Sequence, residues 1–200
     1  GQIAARLLIA NDFNVVTLDS SIEQIELLRA FGRKVHYGDA SRIDLLRTAG
    51  AEKARLLIVA IDDKDKAVEL VEAAKAAFPS LAIMSRAWDR RHAYDLLAPG
   101  ADDVERESFE GSLAMGKRAL LRLGFTERRA VAAAVTFRKL DRQLFEKLAP
   151  AYGQEENYVL ASRDSTETME RLLNAEMRRV GEEDGEDDLA RRVEKDRQSV

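Results

Sequence analysis

The sequence contains no cysteine, which excludes disulfides, zinc–thiolate sites, iron–sulfur clusters and a thiol nucleophile together. Histidine is almost as scarce. His36 and His92 are the only two, which leaves little room for a metal site or a histidine-centred triad. No apolar run reaches the ~18 residues needed to span a bilayer, and no signal peptide opens the chain. There is no basic excess either: 36 acids against 32 bases give a formal charge of -4, which argues against a nucleic-acid-binding domain. What remains is 200 residues, 46% hydrophobic and 34% charged, enough for a real core and too apolar for a disordered chain. The sequence reads as soluble, cytoplasm-compatible protein, or as the soluble part of something larger.

The first half alternates strand and helix signals. Asn14-Val15-Val16-Thr17-Leu18-Asp19 is a β-rich run ending in an acid. Ser20-Ser21 is a plausible N-cap, and Ile22, Ile25, Leu28 and Phe31 recur at helical spacing until Gly32. Lys34-Val35-His36-Tyr37 is the next strand, and Ser41 opens a helix closed by Gly50. The continuous apolar run Arg55 to Ile61 predicts a strand buried on both faces. A helix over 65–78, a strand at Leu81-Ala82-Ile83-Met84, a helix over 89–97 and a short strand around Asp103-Val104 follow. Repeated β-α-β units of this length predict an α/β fold with a Rossmann-like, doubly wound parallel sheet.

Residues 108–124 break that rhythm with an apolar stripe, Phe109, Leu113, Met115, Ala119, Leu120 and Leu123, and no strand after it. The stripe is read as a dimer seam, with intramolecular core as the alternative. Further helices are expected over about 126–149 and 156–179. The boundaries are thus 1–107 for the nucleotide-binding fold and 108–180 for a helical dimerisation and regulatory region. Acids fill six of the seven positions 182–188, so 181–200 is read as a disordered acidic tail. Between residues 117 and 147 nine bases face three acids, a cationic surface for an anionic partner or ligand.

Asp19 is the most informative residue. In a doubly wound sheet the acid closing the second strand accepts hydrogen bonds from an adenosine ribose, ~20 residues after a glycine-rich turn. Gly1 is then read as the last glycine of that turn, whose earlier part and first strand lie outside this sequence. Gly38-Asp39-Ala40 closes the third strand and Ile61-Asp62-Asp63 the fourth, on the same crevice; Asp39 and Asp63 equally suit helix N-caps. Arg86 ends the fifth strand, where it meets either a phosphate or nicotinamide, or an internal acid, Asp62 or Asp89. His36 is structural on this reading, and His92 lies on a surface helix without a catalytic partner. No Gly-x-Ser-x-Gly elbow and no Walker lysine occurs, which favours a nucleotide sensor over a dehydrogenase.

The run Val35-His36-Tyr37-Gly38-Asp39-Ala40-Ser41-Arg42-Ile43-Asp44-Leu45-Leu46, with Ala49-Gly50-Ala51, resembles the RCK or KTN regulatory domains of potassium channels and transporters. Ala60-Ile61-Asp62-Asp63, Ser85-Arg86-Ala87 and Glu105-Arg106-Glu107-Ser108-Phe109-Glu110-Gly111 are similar to the cytosolic carboxyl-terminal domain of Kef glutathione-gated potassium efflux antiporters. That resemblance implies a regulator, not an enzyme, at the cytoplasmic face of the bacterial inner membrane. It implies a homodimer attached to the membrane antiporter domain of the same polypeptide, with AMP or NAD(H) in the crevice. Reduced glutathione would hold the antiporter closed and glutathione adducts would open it; an ancillary flavoprotein oxidoreductase docks on some relatives. Asp19, Asp39, Ala40 and Asp62 match the nucleotide-lining positions, and the full candidate set is Gly1, Asp19, Ser20, Asp39, Ala40, Ile61, Asp62, Asp63 and Arg86.

The family's glutathione site uses an arginine after the Glu-Gly motif and an asparagine in the next helix. Those positions are Lys117, beside Arg118, and Asp141 here. Lysine keeps a cation but loses the bidentate fork, and aspartate puts an anion where a neutral amide stood, to be offset by Arg138 or Arg142. Two other readings are a TrkA-like regulatory subunit of a potassium uptake system and, less favoured, an NAD-dependent oxidoreductase.

Overall fold

The computed structural model describes residues 1–19, 21, 35–38 and 42–198. The helix expected after Ser20 and the candidate residues Ser20, Asp39 and Ala40 lie outside them. The chain divides into two compact units, Gly1–Glu107 and Ser108–Val200.

The first unit opens with helix α1 (Gln2–Ile9), followed by strands β1 (Thr17–Asp19) and β2 (Val35–Tyr37), paired in parallel. Helix α2 (Ile43–Thr48) and a 3-10 turn (Ala51–Lys53) lead to β3 (Leu56–Val59). Helix α3 (Lys64–Ala77), β4 (Ala82–Ala87), α4 (Arg90–Leu97) and β5 (Asp103–Arg106) complete the unit. The strands β3, β4 and β5 form a second parallel sheet, with Ile58 opposite Met84 and Ser85 opposite Val104. In the doubly wound order 3-2-1-4-5-6 these pairs correspond to 3-2 and 4-5-6. The expected single sheet is therefore two, because among the described residues no strand pairs with β1 or β3 on its other side.

The core of this unit lies around β4. Ile83, Ser85 and Ala87 alternate on its buried face, and Leu70, Val71 and Ala74 of α3 and Leu96 of α4 are buried as well. Each such aliphatic chain contributes about 1.5–3 kcal/mol by leaving water. The run at β3 was expected to be covered on both faces, yet Leu56 is exposed and Val59 alone of its four residues is buried. Its outer edge has no described neighbour to cover it. At the amino end of β4, Asp102 accepts the Ile83 N–H at 2.7 Å and pairs with Lys75 at 3.0 Å. The preceding turn needs Gly100, whose φ of 115° a side chain rarely adopts.

The second unit contains α5 (Phe109–Arg122), α6 (Glu127–Leu148), a 3-10 turn (Ala149–Ala151) and α7 (Glu155–Gln198). Thr126 caps α6 by accepting the Arg129 N–H at 3.3 Å. Phe109 stacks with Phe137 at 6.4 Å between centroids, and Arg138 makes two hydrogen bonds to Glu110 at 2.6 and 2.7 Å, which ties α5 to α6. Where a disordered tail is expected over 181–200, the backbone is helical through Gln198, the last described residue. Asp187 and Asp188 stand four residues ahead of Arg191 and Arg192 in the sequence, a spacing that favours helix over repulsion.

Candidate functional site

Among the described candidate residues, Asp19 and Arg86 lie at the carboxyl ends of their strands and Asp62 follows the end of β3. Asp19 ends β1; its backbone oxygen accepts the Gly38 N–H at 3.1 Å, and its carboxylate accepts the Ser21 N–H at 2.9 Å. The carboxylate is thereby oriented from its own turn, at the point where β1 and β2 both finish. Gly1, preceding α1, sits so close to the end of β3 that a β-carbon on it would lie 3.4 Å from the Ala60 side chain. That contact places the amino terminus of α1 beside Ala60, at the end of β3.

Arg86 is the hub of the other half of this rim. One guanidinium nitrogen donates to Asp62 at 2.5 Å and to the Ala60 carbonyl at 3.2 Å; the other donates to Glu107 at 2.8 Å. A side chain on β4 therefore bridges the end of β3 to the end of β5. Partial burial works against its charge, but Asp62 and Glu107 outweigh that and hold the guanidinium above its ordinary pKa. Of the two acids open to it in the sequence, Asp62 is the one it meets; Asp89 pairs with Lys64 at 2.5 Å and caps α4 through the His92 N–H at 2.9 Å. Asp63 caps α3, accepting the Lys66 N–H at 3.1 Å.

Sequence reasoning missed three participants. Glu107 follows β5 just as Asp19 closes β1, and that shared position was the available signal. Trp88, the sole tryptophan, is 43% exposed. Its indole N–H donates to the Asp62 carbonyl at 2.9 Å, and its ring lies 5.7 Å from the Arg86 guanidinium carbon. His92, read as a surface residue, is only 2% exposed, because it occupies the inward side of an amphipathic helix. Its Nδ1 accepts the Trp88 backbone N–H at 3.2 Å. Burial lowers its pKa.

In the helical unit Lys117 is half-buried and Arg118 exposed, both on α5, whereas Asp141 on α6 is 5% exposed. The two arginines expected to offset it are engaged elsewhere, Arg138 with Glu110 and Arg142 with Glu146 at 3.3 Å. No residue of α5 is buried, and Met115 and Leu123 are 62% and 79% exposed. Among the described residues no group of His, Asp and Glu is arranged to hold a metal ion, and no helix is long and apolar enough to cross a membrane.

Comparison with known proteins gives the same division. Residues 1–107 match the TrkA-N domain model, and residues 111–192 the potassium efflux system KefB C-terminal domain model. A Kef CTD from Shewanella denitrificans, solved in AMP bound form, is 42% identical, with a TM-score of 0.70 over 76% of this chain and 92% of that one. The TrkA-N domain of the inner membrane protein ybaL from Escherichia coli is 26% identical, with a TM-score of 0.54 over 62% and 89%. The GsuK channel bound to NAD shares the fold at 20% identity and a TM-score of 0.52, over 56% of this chain and 20% of that one. The chain belongs to the Kef C-terminal domain family, with a TrkA-N domain at its start.

Proposed function

We propose that this chain is the nucleotide-binding regulatory domain of a potassium/proton efflux antiporter, working at the cytoplasmic face of the membrane and catalysing no reaction. The observation that carries the reading is the Asp19 carboxylate, fixed at the end of β1 by the Ser21 N–H in a fold whose crevice lies there. The ribose hydroxyls donate to Asp19. The phosphate lies at the amino terminus of α1, where helix N–H groups favour an anion. The 42% identical Kef CTD was solved with AMP, and the GsuK channel with NAD, so AMP or NAD(H) is the ligand of this reading.

Regulation follows from differential binding: a ligand shifts the antiporter only if it prefers one dimer arrangement over the other. The exposed Met115 on α5 and Leu123 just beyond its end form the seam between two copies on this reading. Glutathione or a glutathione adduct is held by Lys117 and Arg118, with Asp141 weakening it relative to an amide. Asp141→Asn therefore strengthens glutathione binding; equal or weaker binding removes Asp141 from the ligand's surroundings. An ancillary flavoprotein docking on the helical unit belongs to the same reading.

Titration calorimetry of the chain with AMP tests the nucleotide step. A saturable single site with no product formed is expected. Absence of any heat above dilution, or conversion of the nucleotide, rejects it.

A further inference from the structure

The rim at the ends of β3, β4 and β5 is closed upon itself. Arg86 takes the Ala60 carbonyl, the Asp62 carboxylate and the Glu107 carboxylate, while Trp88 holds the Asp62 carbonyl and flanks the guanidinium. In a doubly wound fold a dinucleotide lies across the switch point, one nucleotide over each half of the sheet. The half with β1 and β2 presents Asp19. The other half, where the second nucleotide would lie, presents a cation already matched by two acids and acceptors already filled. Resting on the nucleotide-binding reading above, we propose that Arg86, Asp62, Glu107 and Trp88 form a latch that makes the site selective for a mononucleotide, with Arg86 the specificity-determining residue.

The latch is closed by charge-assisted hydrogen bonds, yet it is not fully satisfied. Arg86 Nε is buried with no hydrogen-bond partner among the described residues. Opening is therefore costly without being forbidden. A dinucleotide binds only the open form, and a latch open about 1–10% of the time weakens it by about 10- to 100-fold while a mononucleotide is unaffected. The competing role for an exposed indole at this position is a platform on which the second base stacks, worth affinity to a dinucleotide. The two roles give opposite signs when the indole is removed.

Calorimetry with AMP and with NADH on the whole chain separates them. Wild type is expected to bind AMP at least about tenfold tighter than NADH. Glu107→Gln and Trp88→Ala should each tighten NADH by about three- to tenfold and leave AMP within about twofold, as an opened latch requires. Arg86→Ala should reduce the AMP-to-NADH preference further; should that variant fail to fold, the exposed positions Glu107 and Trp88 still decide the matter. Equal binding of both ligands by wild type, a ratio unmoved by either variant, or weaker NADH binding in Trp88→Ala overturns the latch and leaves the nucleotide reading standing. Loss of AMP binding to wild type overturns that reading and the latch with it.

Discussion

The two units solve the problem of covering apolar surface differently. The α/β unit encloses Leu46, Leu70, Val71, Ile83 and Leu96 within its own chain and stitches both ends of β4 with polar side chains, Asp102 at one and Arg86 at the other. The helical unit encloses Leu144, Leu148, Tyr158 and Val180, but leaves Met115, Leu123, Val135 and Leu160 to water. Three helices in sequence do not supply a second layer for α5. One unit is thus built to present a fixed rim, the other to present an apolar face, and a regulator needs both: a site that holds its ligand and a surface that can exist in two arrangements.

Core substitution should separate the units most sharply. Ile83→Ala removes a fully enclosed side chain from the central strand and is expected to cost about 2–5 kcal/mol, read by chemical denaturation. A cost below about 1 kcal/mol would mean β4 is not the centre of that core. Met115→Glu should have little effect on folding but raise the dimer dissociation constant by about tenfold or more, equivalent to about 1.4 kcal/mol, in sedimentation equilibrium. A monomer at every wild-type concentration, or a dimer indifferent to the change, would take α5 out of the seam.

Acid should loosen the α/β unit first at His92. Its folded pKa lies below the ordinary 6.5, because burial disfavours the imidazolium; a hydrogen bond with the Lys64 backbone and the charges of Asp89 and Asp95 favour it without offsetting that, and the Lys64 ammonium opposes it. The unfolded chain then takes up a proton that the folded chain resists. The stability present above pH 6.5 declines as pH falls below that value toward the folded pKa. Protonation would also set Nδ1–H against the Trp88 N–H. His92→Gln should flatten the decline between about pH 7 and pH 5, measured by thermal melts; an unchanged slope would place the titration elsewhere. The smallest effect is expected at Gly185, where an added β-carbon meets nothing within 4 Å. Gly185→Ala should stabilise the helix by about 0.5–1 kcal/mol and raise the circular dichroism signal, whereas a disordered 181–200 would leave it unchanged.

Local rules made much of this molecule legible. The alternation of apolar runs with glycine stops placed β1 to β5 within a few residues, and Asp63 carried a visible cap signal. Pairings decided in three dimensions were not legible. Nothing in the chain says that Arg86 prefers Asp62, 24 residues away, to Asp89, three away. His92 was misplaced because a short helix with Arg90, Arg91 and Asp95 reads as surface although one side faces inward. The helix through 198 was missed because a run of acids was weighed as net charge, without the i,i+4 bases that follow it.

Nucleotide binding in this fold rests on recognition of a ribose by the Asp19 carboxylate. Calorimetry comparing AMP with 2′-deoxy-AMP, on wild type and on Asp19→Asn, tests it most directly. AMP should bind wild type about tenfold tighter than its deoxy analogue, as expected for a hydrogen bond to a charged acceptor, and the difference should vanish in the variant. Equal affinities for the two nucleotides in wild type would contradict it.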